Sequence, residues 1–143
     1  MPNKLRLYVD AGFMPKRAAA AWLLYDGDKL LLEGTKEFTS DTSLEAELRG
    51  AVYALENVSS AIPNVNERPM LLCMDNQVVV YCLQMVRDGN PRPTKKKFLG
   101  KIYQEIKDII ASYSHFNVVW LRRGNRQIAD CDFIARRLME VYR

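Results

Sequence analysis

The chain lacks any apolar run approaching the length of a membrane span, so no membrane partner is expected. Its opening residues, Met1-Pro2-Asn3-Lys4, lead straight into a strand pattern and carry no signal-peptide core. Cysteine is scarce: Cys73, Cys82 and Cys131 are odd in number and have neither CxxC nor zinc-type spacing. That excludes a disulfide framework and a structural zinc site, leaving reduced, buried thiols in a cytoplasmic protein as the expectation. Histidine occurs once, at His115. The excess of one charge sign is also small: a net +4 permits a polyanionic partner without demanding one. No internal repeat and no second domain are visible. The 143 residues, 48% hydrophobic and 27% charged, are expected to form one domain spanning 1–143, with a core of its own, as a monomer.

Taken in order, Leu5, Leu7 and Val9 alternate with Arg6, Tyr8 and Asp10, a period-2 strand expected to end on the carboxylate of Asp10. Phe13 to Arg17 reads as a loop, Ala18 to Tyr25 as a second strand and Asp26-Gly27-Asp28 as a hairpin turn. Lys29 to Phe38 makes a third strand, bulged or bent at Gly34. The period then changes. Thr42-Ser43-Leu44-Glu45 is a capping box, opening a helix to about Val58 on the stripe Leu44, Leu48, Val52 and Leu55. Glu47 lies off that stripe. Gly50 and Ala51 lie one turn further on, small enough to let the backbone approach a sheet. Taken from the helix alone, Glu47 is an ordinary solvated acid. Pro63 to Pro69 is a loop, and Met70 to Met74 is an apolar run suited to a central strand. That run stops at Asp75-Asn76-Gln77, with a helix from Val78 to Arg87. Asp88 to Lys97 is a polar linker, followed by an amphipathic helix from Phe98 to Tyr113. Phe116 to Leu121 is the last strand, Arg122 to Arg126 a basic loop, and a final helix starts near Ala129. Trp22 and Trp120 lie within strands and read as core.

Four acids stand out because each belongs to a different element: Asp10, Glu47, Asp75 and Asp132. A carboxylate on an inner strand is costly to bury unless it is paired or holds a cation. A strand followed by an acid at the switch to a helix is where open α/β sheets place their sites, although Asp75 is equally suited to capping the helix. Two divalent ions roughly 3.5–4 Å apart can activate water and stabilise the leaving oxygen in phosphodiester cleavage. Magnesium is hard and takes oxygen ligands, so such a pair needs several carboxylates, held at fixed spacing by separate elements.

The chain resembles type 1 ribonuclease H over essentially its whole length. The motifs are Tyr8-Val9-Asp10-Ala11-Gly12, Glu47-Leu48-Arg49-Gly50-Ala51-Val52-Tyr53-Ala54-Leu55, Asp75-Asn76-Gln77-Val78-Val79, and Asp132-Phe133-Ile134-Ala135-Arg136. The resemblance implies a ribonuclease H-like α/β fold: a five-stranded mixed sheet, three antiparallel strands then parallel ones, flanked by helices. It also implies an endonuclease that hydrolyses the RNA strand of RNA–DNA hybrids, with Asp10, Glu47, Asp75 and Asp132 catalytic and ligating two Mg²⁺, for which Mn²⁺ can substitute. Asp130 is the alternative to Asp132. The motif offsets favour Asp132, which leaves Asp130 as a cap or dipole partner of the last helix. Hybrid contacts are expected from Thr42, Ser43, Asn76, Gln77, Arg122, Arg123, Asn125 and Arg126, and from Lys95, Lys96 and Lys97 where the family carries a basic protrusion.

Three departures bear on activity. The Gly-Asn-Pro-Gly loop usual after the first Asp is replaced by Phe13-Met14-Pro15-Lys16-Arg17. Leu44 stands where the family has an Asn before the Glu. The Gly-His pair before the last Asp is missing, which implies slower turnover. The competing reading is a catalytically weak or inactive ribonuclease H-like module that binds nucleic acid or protein. A 3′–5′ exonuclease of the Asp-x-Glu type is excluded because Gly12 occupies the position of its Glu.

Overall fold

A computed structural model describes residues 4–89 and 97–140, and of residues 97–101 the backbone alone. The first three strands are β1 (Leu5–Met14), β2 (Arg17–Asp26) and β3 (Lys29–Phe38). Helix α1 (Ser43–Ala61), a 3-10 turn at Val65–Glu67, β4 (Met70–Met74) and α2 (Gln77–Arg87) follow. The chain continues with α3 (Lys97–Ala111), β5 (Phe116–Trp120) and α4 (Arg126–Glu140). The strands form one sheet in the order β3-β2-β1-β4-β5. β1, β2 and β3 are antiparallel, whereas β4 runs parallel to β1 and β5 parallel to β4. This is the five-stranded mixed sheet the sequence led us to expect.

Strand alternation places one core on each face. Leu5, Leu7 and Val9 pack with Leu48, Leu55 and Val58 of α1, and Leu72 and Met74 of β4 join them. On the opposite face Tyr8, Ala21, Leu23 and Cys73 meet Ile128, Cys131 and Ala135 of α4. Each large aliphatic side chain so buried contributes about 1.5–3 kcal/mol relative to exposure. All three cysteines are free and buried, and burial pushes the Cys73 thiol up to about 11. Among the described residues, no helix is long and apolar enough to cross a membrane.

The expected end of the first strand is corrected. β1 does not stop at Asp10 but continues to Met14, and a two-residue turn at Pro15-Lys16 returns the chain into β2 at Arg17. Lys16 takes the left-handed conformation that closes the turn (φ 65°). The residues read as a loop pair instead with the alanine run, Ala11 with Ala20 and Phe13 with Ala18, so backbone pairing overrides the Pro and Gly signals. Asp10 therefore lies mid-strand, opposite Ala21. Gly34 is also corrected. The bulge falls at Leu31, where the register shifts between Leu24 and Tyr25. Gly34 lies opposite Trp22, whose indole covers it: an added Cβ would collide with Trp22 Nε1. That nitrogen donates to Asn57 Oδ1 at 2.9 Å, which prevents the ring from moving away freely. Gly34→Ala should therefore destabilise the fold by about 1–3 kcal/mol, the usual cost of overpacking. A melting temperature equal to that of the parent would refute this account.

Helix α1 starts as its capping box predicts, with Thr42 Oγ1 accepting from Glu45 N at 3.1 Å. The return bond reaches one residue further back, however: Glu45 Oε2 accepts from Asp41 N at 3.0 Å. At Gly50 an added Cβ would meet Ala20 Cβ at 3.0 Å and Ala11 Cβ at 3.5 Å, so the small residues do bring α1 onto the sheet. The helix runs to Ala61, slightly beyond the expected Val58. Lys95 and Lys96 lie outside the described residues, and Lys97 opens α3.

Candidate active site

Three elements converge on one end of the sheet. Asp10 projects from the middle of β1 and is 6% exposed. Glu47, in the second turn of α1, is 7% exposed, because the close approach at Gly50 carries it over the sheet; the solvated reading of this acid is overturned. Asp75 follows β4 directly. It is not the cap of α2. Asn76 caps that helix, its Oδ1 accepting from Val78 N at 2.9 Å and Val79 N at 3.2 Å. The Asp75 carboxylate is thereby left to face the cleft. The Asn76 Nδ2 group donates to Glu47 Oε2 at 2.5 Å, so one side chain fixes both the helix start and the second acid. Carboxylate oxygens of Asp10, Glu47 and Asp75 lie within 4.8 Å of one another.

Helix α4 begins at Arg126, three residues before the expected start, because Asn125 is its cap: Asn125 Oδ1 accepts from Ile128 N at 3.0 Å. Asp130 is consequently not a cap. It lies inside the helix, exposed, and does not line the cleft. Asp132 does line it, holding Arg136 through Nε at 3.1 Å, and its charge acts on Asp10.

Burial dominates the electrostatics. It pushes the Asp10 carboxyl up to about 8, reinforced by the charges of Asp75, Asp132 and Glu47. Glu47 is pushed up to about 7, again by burial, against the opposing hydrogen bond from Asn76. Arg136 is engaged by Asp132, and the cation that faces the trio is Arg123 among the described residues, with Nε 3.8 Å from Asp75 Oδ2. At 91% side-chain exposure, its compensation is slight. The result is an oxygen-only donor set with unbalanced negative charge on three separate elements. That chemistry fits a hard divalent cation and fits soft or nitrogen-seeking metals poorly.

The remaining residues expected to contact substrate divide into two groups. Ser43, Arg122 and Arg123 border the acids, and Gln77 is exposed at the mouth. Thr42, Asn76 and Asn125 have their side-chain oxygens taken up by helix caps, and Arg126 does not line the cleft. Sequence reasoning missed Arg136 and Trp120. Arg136 could have been found, since it stands one helical turn after Asp132. Trp120 was read as core, yet it is 41% exposed and donates its indole N–H to the Asp75 carbonyl at 3.1 Å. Nothing in its strand pattern signals that position. The cleft itself encloses about 560 Å³, also lined by Gly12, Phe13, Ala129 and Met139.

The profile of the reverse transcriptase-like family matches residues 9–132. No curated protein sequence matches the chain. Among solved structures, the LC11 ribonuclease H1 isolated from compost superposes with a TM-score of 0.83 at 19% identity, covering 98% of each chain. The ribonuclease H1 of the halophilic archaeon Halobacterium salinarum gives 0.77 at 17% identity, covering 96% of this chain and 98% of that one. The LC11 enzyme in complex with an RNA/DNA hybrid gives 0.78 at 19% identity, covering 93% of this chain and 94% of that one. With the profile spanning most of the chain and these folds superposing along nearly all of it, the protein belongs to the reverse transcriptase-like family and has the fold of type 1 ribonuclease H.

Proposed function

We propose that the protein is a metal-dependent endonuclease that hydrolyses the RNA strand of RNA–DNA hybrids. The observation that carries this reading is the convergence of Asp10, Glu47 and Asp75, oxygen to oxygen within 4.8 Å, in a family whose fold neighbours include an enzyme bound to such a hybrid. Asp10, Glu47 and Asp75 would hold the ions, Mg²⁺ or its substitute Mn²⁺, with Asp132 at the cleft margin. When bound, a pair of divalent ions supplies Lewis-acid charge at the scissile phosphate and activation of the attacking water.

The chain's own residues do the positioning. Asn76 clamps Glu47 Oε2, keeping that carboxylate from rotating towards solvent. Asp10 is fixed by its pairing with Ala21 of β2, two residues beyond the last β1 pairing with β4, Tyr8 with Cys73, and that backbone frame sets its position relative to Asp75. Arg123 and Arg136 border the cleft as cations that can meet non-bridging phosphate oxygens, Arg136 held in place by Asp132. Gln77, exposed beside Asp75, is placed to contact the hybrid. His115 is exposed before β5 and does not line the cleft, so it is not placed to carry a proton at the cutting site. Slow product release is expected to accompany this.

The test is cleavage of an end-labelled RNA–DNA hybrid with Mg²⁺ and with EDTA, beside RNA and DNA duplexes of the same sequence. Internal cuts confined to the RNA of the hybrid, and abolished by EDTA, are expected. Silence on every substrate in both Mg²⁺ and Mn²⁺ would sink the enzymatic reading and leave the non-catalytic binding module.

A further inference from the structure

Beside the acid cluster is a second cavity of about 470 Å³, which shares Glu47, Asp75 and Arg123 with the cleft. Its remaining walls differ in character. Trp120 (41% exposed) and Val78 (58% exposed) are apolar, Arg122 is cationic, and Gln77 presents a side-chain amide. The indole is not a loose surface ring, because its N–H is tied to the Asp75 carbonyl at 3.1 Å. A flat aromatic is thus held at a fixed angle next to the atoms that would cut the strand. Leaving such a ring half in water is unfavourable by itself, and a planar π-system with hydrogen-bonding edges near a phosphate is the natural occupant.

We infer that this cavity is a stacking subsite for one unpaired nucleobase of the bound strand, with Trp120 as the platform. The inference rests on the proposed hybrid nuclease activity and deepens it. A base inside a duplex has both faces covered by its neighbours, so only a base that is unpaired, at a flap or a hybrid–single-strand junction, can offer a face to the indole. Arg122 and Arg123 would take the adjoining phosphates, and the Gln77 amide would reach the base or ribose edge. The substrate class is therefore hybrid carrying a single-stranded extension beside the cutting site, bound more tightly than uniform hybrid.

Trp120 itself reports the event. The other tryptophan, Trp22, is 3% exposed, so quenching by an added nucleic acid comes from Trp120. With Ca²⁺ in place of Mg²⁺, a labelled hybrid with a three-nucleotide unpaired RNA extension and a fully paired hybrid of equal length are titrated by anisotropy and by tryptophan fluorescence. The extended hybrid should quench the fluorescence and bind about five- to tenfold more tightly than the paired one. Trp120→Leu should erase that preference, and Trp120→Phe should retain most of it; a folding defect would remove binding of both hybrids alike. Equal quenching and equal affinity for the two hybrids would overturn the subsite while leaving the nuclease reading intact. Failure of the parent protein to bind either hybrid would overturn both.

Discussion

Asp10→Asn should abolish hybrid cleavage and, in metal-free buffer, make the protein more stable. The loss of activity follows from position. Asp10 is the most buried of three acids whose oxygens lie within 4.8 Å of one another, and the charge of Asp132 also acts on it. Removing its charge removes several kcal/mol of metal-borne stabilisation, at least about a thousandfold in rate. The gain in stability follows from burial. An acid whose folded-state value is raised from 3.8 to about 8, beside one raised from 4.5 to about 7, keeps its proton in the folded chain over a range where the unfolded chain has lost it. The folded state then binds more protons, so stability must fall as pH rises, and the contribution present at the acidic end is gone once pH passes about 8. Below pH 5 Glu45 works the other way, since its backbone and Arg49 hydrogen bonds outweigh burial and hold its carboxyl below the ordinary value. The informative window is therefore about pH 5 to 8. Each proton contributes about 1.4 kcal/mol per pH unit, and with water reaching the cleft a total fall of about 2–4 kcal/mol is expected in EDTA. Asp10→Asn should flatten that fall, and millimolar Mg²⁺ should reverse it at pH 8. Thermal melts across the window decide the matter: a parent curve that is level or rising in EDTA would contradict the charge imbalance assigned to the cluster.

Asp132→Ala should reduce cleavage about a hundredfold, and Asp130→Ala should change it by less than about twofold, a contrast worth roughly 2–3 kcal/mol of transition-state stabilisation. The two acids are two residues apart on α4, and a helix turns about 200° over that interval, so they cannot serve the same site. Asp132 lines the same cleft as Asp10, whereas Asp130 faces water. Asp132 is nonetheless not within the tight trio of oxygens, and its side chain is 40% exposed, so its removal should cost less than removal of Asp10. It also anchors Arg136, and Arg136→Gln should reproduce the part of the loss that comes from phosphate contact. Measuring kcat and KM separately distinguishes the roles. An Asp132 loss confined to KM would assign it to substrate grip alone, and equal losses for Asp130 and Asp132 would refute the geometry.

The sequence by itself determined the order of the elements through local signals: period-2 alternation in Leu5 to Val9, the capping box at Thr42, and the apolar run Met70 to Met74 broken by Asp75. The mixed sheet and the four candidate acids came from the resemblance of its motifs to type 1 ribonuclease H. Gly50 was legible from a local signal too, since a residue without a side chain on a helix face announces a close contact. Only the tertiary structure decided which polar groups remain free. The Asp75 carboxylate faces the cleft because Asn76 takes over the cap, and Asn125 takes over the start of α4, leaving Asp130 in solvent. Capping is a competition between neighbouring side chains for the same backbone N–H groups, and sequence spacing cannot rank the competitors. The same limit explains β1, where pairing with Ala18 to Ala21 carried the strand past Asp10 to Met14. It explains Trp120 as well: alternation fixes the face of a strand on which a ring lies, but the elements packed around the strand end fix whether that ring is covered, and here the cleft leaves it open.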